Sequence, residues 1–188
     1  MCTLKLGLSA AAILATLAAS PALAQSHPRY GFGAAVDQQE LAKFFSIPAD
    51  GTGLPPGSGT PAAGAKVFAD NCAACHGEKG EGNPAKGIGG DKLLGGRGSL
   101  ASATPVKTVE SYWPYATTLF DYVKRAMPFS APGSLSDNDV YAVVAYILSE
   151  AKIIKPTDTM NATTLPKVVM PNRDGFVPDP RPELELYR

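Results

Sequence analysis

Cys72, Cys75 and His76 are the residues whose types and spacing carry chemistry here, in the string Cys72-Ala73-Ala74-Cys75-His76. Positions i and i+3 lie on one face of a helical turn. Two thiols so placed can each add to one of the two vinyl groups of a single porphyrin. The His directly after them can then ligate the iron from the proximal side. This is the attachment signature of c-type haem. Two other chemistries use a Cys-x-x-Cys pair. A structural zinc site needs further Cys or His ligands, and the chain has almost none to give, since Cys2 falls in the first 24 residues and His27 is the only other His. A thioredoxin-like dithiol sits in a βαβ unit, and no such pattern surrounds Cys72. The expected cofactor is therefore one haem c, covalently bound through Cys72 and Cys75 with His76 on the iron.

The second axial ligand separates electron transfer from bond-making chemistry. The candidates outside the first 24 residues are His27, Met127, Met160 and Met170. His27 reads as an exposed residue near the start of the processed chain. Met127 lies between two helical patterns, and Pro128 after it stiffens the chain that carries the thioether. Met170-Pro171 is the competitor, but it lies beyond the last helical pattern, so the tail would have to cross the distal pocket. A single Met is otherwise a filler of apolar gaps; position in the chain favours Met127. A His/Met pair raises the haem potential, which suits an electron acceptor.

Three helices must position these residues. Thr60 and Pro61 read as N-cap and first residue of a helix running toward Cys75. Gly64 and Phe68 share one face of it, with Val67 beside them. Residues 77–110 hold nine Gly and show no sustained period. So long a loop usually counts against a compact domain, unless it wraps a flat apolar cofactor. A second helix is expected from Pro114, with Tyr115, Leu119, Tyr122, Val123 and Ala126 as its apolar stripe, ending at Met127-Pro128. The strongest helical pattern is 137–151. Ser136 caps it, Asp137 and Asp139 favour its first turn, and Val140, Val143, Val144, Ile147 and Leu148 form an apolar face.

Outside residues 61–152 the chain changes character. Residues 1–24 read as a signal peptide: Lys5, an apolar run to Ala19, and Ala22-Leu23-Ala24 before the cleavage point. The run is too short for a comfortable membrane span, so no stable membrane insertion is expected and the periplasm is the expected location. Residues 25–60 form an N-terminal arm whose only periodic piece is Asp37 to Phe45, with Leu41, Phe44 and Phe45 on one face. Residues 153–188 form a tail with six Pro and no sustained period. Val168, Val169, Phe176 and Val177 make it too apolar for a purely solvated segment. The expectation is that arm and tail hold a partner; the alternative is that they fold back on the haem domain. Lys plus Arg and Asp plus Glu balance at 17 each, which removes the electrostatic reason to expect nucleic acid.

With these residues in view, 61–152 resembles a class I cytochrome c domain: Cys72-x-x-Cys75-His76 near its start, Met127-Pro128, then the closing helix. The family pairs a Gly-x-x-x-aromatic motif on the first helix with an apolar–aromatic pair on the last, matched by Gly64/Phe68 and Val143/Tyr146. The resemblance implies a mostly α fold around one covalently bound haem, flanked here by an irregular arm and a Pro-rich tail. A narrower resemblance runs through Tyr30-Gly31-Phe32-Gly33, Leu54-Pro55-Pro56-Gly57-Ser58-Gly59, Ser111-Tyr112-Trp113-Pro114-Tyr115-Ala116 and Met170-Pro171-Asn172-Arg173-Asp174-Gly175-Phe176. These strings are similar to the cytochrome c subunits of periplasmic sulfite dehydrogenases and to the haem subunit of sulfane dehydrogenase. The latter commonly carries a second haem domain, so one Cys-x-x-Cys-His fits the sulfite dehydrogenase type better.

That resemblance implies a molybdenum-cofactor dehydrogenase subunit as electron donor and another cytochrome c or a terminal oxidase as acceptor. The chain would then be no enzyme by itself. Two other functions compete: a freely diffusing carrier, which leaves more than 70 residues of arm and tail unexplained, and a haem enzyme or ligand sensor, which needs an open sixth position.

Overall fold

The computed structural model describes residues 37, 46–82, 89–178 and 180. The expected signal peptide, His27, the Tyr30-Gly31-Phe32-Gly33 string and the periodic piece with Leu41, Phe44 and Phe45 lie outside the described residues.

Helix α1, Pro61–Asn71, starts as its sequence dictates. The Thr60 hydroxyl accepts the Ala63 N–H at 3.3 Å, and Pro61 supplies a preset φ where no amide donor is needed. It does not run unbroken to the Cys pair. Cys72 has φ −123°, and a separate turn, α2, spans Ala73–His76. Helix α3, Ala116–Ala126, starts two residues later than the expected Pro114 because Tyr115 keeps an extended backbone. The expected stripe needs the same correction. Tyr122 is largely exposed, whereas Phe120 and Thr117 are buried beside Leu119 and Val123. Without Tyr122 in the core, the buried face turns toward Phe120, whose ring centroid lies 4.5 Å from that of Tyr141.

Helix α4, Asp137–Glu150, is the centre of the molecule. Ser136 accepts the Asp139 N–H as N-cap. Val140, Tyr141, Val143, Val144, Ala145 and Leu148 are all fully buried, so this helix is apolar nearly all round rather than on one face. Helix α1 crosses it at Gly64, where a Cβ would collide with the Ala142 carbonyl. Phe68 then meets Tyr146, ring centroids 5.1 Å apart. The residue opposite Gly64 is Ala142; Val143, expected with Tyr146 near Phe68, lies in the same buried core as Phe68.

The flanks pack on this core. Strand β1, Ser58–Gly59, pairs antiparallel with β2, Met160–Asn161, placing Gly59 opposite Met160. Gly59 also rests against the Ala142 backbone, where no side chain would fit. Upstream, the Ile47 N–H donates to the Asp121 carboxylate at 2.9 Å, and the Tyr141 hydroxyl donates to the Pro55 carbonyl at 2.9 Å. Downstream, Met160, Leu165, Val168 and Met170 are buried. Each such side chain contributes roughly 1.5–3 kcal/mol on burial, which opposes the entropy of ordering the segment. The expectation of a partner-holding tail is corrected over this stretch: it folds back and completes the core. Val169, Phe176 and Val177 remain outside it, the last 85% exposed.

Candidate haem attachment site

The break between α1 and α2 sets the geometry of the Cys pair. The Cys72 carbonyl accepts the N–H groups of both Cys75 and His76, at 3.1 and 2.9 Å, closing one tight turn over the motif. Both thiols are free and half-buried, the state from which thioethers to vinyl groups can form. Burial, reinforced by Cys75, pushes the Cys72 thiol up to about 11, so it is held as the neutral thiol. Among the described residues no three His, Cys, Asp or Glu side chains gather as a metal site.

The loop after the motif fixes the imidazole. His76 Nδ1 lies 2.7 Å from the Asp91 carbonyl oxygen. A carbonyl can only accept, so Nδ1 carries the proton and Nε2 keeps its lone pair for a metal. Gly90 makes this approach possible, since a Cβ there would press on Nδ1, Cε1 and Cγ of the ring. The Gly82 and Gly90 N–H groups donate to the His76 and Cys75 carbonyls at 2.7 and 3.0 Å. The described residues on either side of 83–88 are therefore tied to the motif's own carbonyls. Sequence reading did not single out Gly90 or Asp91; the Gly89-Gly90 pair is a signal for Gly90 alone.

Met127 caps α3 with an extended backbone, and its N–H donates to the Val123 carbonyl at 3.2 Å. Its side chain is half-buried and borders the same core as Cys72, Ala73, Leu93, Leu94 and Trp113. The competing Met170 is 1% exposed and packed within the core. The residues present thus fit a c-type haem on the proximal side: two free thiols on one turn, an oriented imidazole, and apolar side chains around them.

Among the described residues no helix is long and apolar enough to cross a membrane. The cytochrome c family model matches residues 61–151. Cytochrome c6 of Leptolyngbya boryana is 37% identical over 91 residues, covering 48% of this chain and 93% of that protein. Thiosulfate dehydrogenase of Stutzerimonas stutzeri (strain A1501) is 32% identical over 98 residues, covering 52% of this chain but only 30% of that protein, so this chain spans under a third of its length. A chain of the sulfane dehydrogenase SoxCD from Paracoccus pantotrophus is 40% identical, with a TM-score of 0.73 over 84% of this chain and 76% of that one. That span exceeds residues 61–151 and therefore takes in much of the flanks.

Proposed function

We propose, from the premise that this chain belongs to the cytochrome c family, that it carries a single haem c and serves as the electron-transfer subunit of a sulfur-compound dehydrogenase. Cys72 and Cys75 would tether the ring, His76 would hold the iron through Nε2, and Met127 would supply the sixth ligand. Bound there, haem c supplies one-electron redox chemistry. The residues of the chain do the rest. Asp91 keeps the His76 tautomer fixed, and Leu93, Leu94 and Trp113 lower the local dielectric and keep water away. A thioether at the sixth position would leave no open site for substrate, which favours electron transfer over a haem enzyme or ligand sensor.

The observation that carries the subunit reading is the 84% coverage of this chain by the SoxCD match, because a cytochrome that merely shared the haem domain would match over about half that length. In this reading a molybdenum-cofactor subunit oxidises sulfite or a related sulfur compound in the periplasm. This chain accepts the two electrons one at a time and delivers them to another cytochrome c or a terminal oxidase. The test is purification of the native protein from a periplasmic extract, followed by molybdenum analysis and sulfite-dependent reduction of the haem band. Stoichiometric molybdenum and rapid reduction are expected. A protein that purifies alone, without molybdenum, would make it a freely diffusing carrier instead.

A further inference from the structure

We propose that a cleft between the folded-back tail and the end of α4 binds a doubly charged oxoanion, of the chemistry shared by sulfate, thiosulfate and phosphate. The cleft has a volume of about 510 Å³ and lies between Arg97, Lys152-Ile153 and residues 169–175. It is distinct from the Cys72–His76 turn, none of whose residues line it. Arg97, Lys152 and Arg173 line it with one acidic residue, Asp174, and Arg97 is also paired with Glu110 outside the lining.

Its walls are built before any ligand arrives. Arg97 donates to the Ala151 carbonyl at 2.6 Å and to the Glu110 carboxylate at 3.1 Å, which fixes its guanidinium at the helix end. The Arg173 guanidinium sits 5.4 Å from the centroid of the Tyr115 ring. The turn carrying it is closed by the Arg173 N–H to the Met170 carbonyl, and Asn172 Nδ2 donates to the Tyr112 carbonyl at 2.7 Å. Guanidinium groups held in place lose little freedom when they bind an oxoanion, and their N–H groups match its geometry.

Lys152 supplies the second, independent observation. It ends α4 in the left-handed region, φ 57°, and is the one described non-glycine residue there. The Ile153 N–H reaches back to the Leu148 carbonyl at 2.9 Å, a helix ending whose left-handed position glycine normally occupies. A side chain here works against the backbone. Yet no ion pair or hydrogen bond holds the ammonium among the described residues. An unpaired lysine at this left-handed position adds its charge to the rim of the cleft.

The test uses the full haem-loaded chain, labelled with ¹⁵N and titrated separately with sodium sulfate, thiosulfate and phosphate at constant ionic strength set by sodium chloride. At least one dianion should give saturable amide shifts confined to 96–98, 151–153 and 172–175. The double variant Lys152→Gly, Arg173→Gln should weaken that binding at least tenfold. Glycine suits the left-handed position, so its melting temperature should stay equal or rise, and an intact haem spectrum verifies folding. Shifts that fail to saturate, that spread over all cationic surfaces, or that persist in the double variant would overturn the proposal.

Discussion

Gly64 on α1 lies with its Cα directly against the Ala142 carbonyl on α4, so close that no side chain can stand between the two helices. This contact sets the depth to which α1 sinks into the core, and with it the position of Cys72 at the end of α1. Gly64→Val is expected to force the helices apart and cost about 1–3 kcal/mol through overpacking. A chemical denaturation series on the haem-loaded protein checks this, and an unchanged midpoint would remove Gly64 from the helix crossing.

Tyr141 gives a pH-dependent prediction. Its hydroxyl donates to the Pro55 carbonyl, and burial, with the Asp137 carboxylate adding to it, pushes the phenol up to about 12. The unfolded value is about 10, so folding favours the neutral form. That contribution is complete below pH ~10 and is lost as pH rises through about 12, on the order of 2–3 kcal/mol in all. Tyr141→Phe should cost about 1 kcal/mol at neutral pH, by leaving the Pro55 carbonyl without its donor. It should also flatten the alkaline decline. Denaturant midpoints for both proteins between pH 8 and 12 measure the difference, and parallel curves would sink the assignment.

The two candidate methionines should separate cleanly. Met127→Ala is expected to abolish the Met–iron charge-transfer band and lower the reduction potential. Met170→Ala empties a fully buried core position and should cost about 2–5 kcal/mol in stability while leaving the band in place. Optical spectra, potentiometry and thermal melts on both variants decide. A band lost in Met170→Ala and kept in Met127→Ala would move the ligand into the tail.

The site was more legible in the sequence than the flanks, for a physical reason. Cys72, Cys75 and His76 announce themselves because their chemistry fixes their spacing, and α4 does so because burial imposes a period. The Pro114 start was overestimated since proline sets φ of its own residue but not the helical ψ of Tyr115, which stays extended. Tail burial has no such signature. Met160, Leu165, Val168 and Met170 reach the core from a two-residue strand, a single 3-10 turn and irregular chain, so their spacing follows the shape of α3 and α4 rather than any period of their own. The Asp91 carbonyl was invisible for a further reason: a backbone acceptor leaves no mark on residue type.

Where the tail is cut should decide what is lost. Removing residues 156–188 takes away Met160, Leu165 and Met170 along with the strand that pairs with Ser58–Gly59. Each buried side chain is worth roughly 1.5–3 kcal/mol, a large share of the 5–15 kcal/mol by which domains are stable. That truncation is expected to melt many degrees lower or to accumulate poorly. Removing only 176–188 leaves every one of those contacts in place and deletes the exposed Phe176 and Val177. Phe176 meets Tyr112 edge-on, centroids 5.2 Å apart, a contact worth about 1 kcal/mol. The short truncation should therefore keep its haem spectrum and nearly all its stability. If this end of the tail touches the dehydrogenase subunit, affinity for that subunit should fall at least tenfold. Calorimetry on both truncations, with binding measured on the shorter cut, separates the two roles. Full affinity after loss of 176–188 would confine the tail to completing the core.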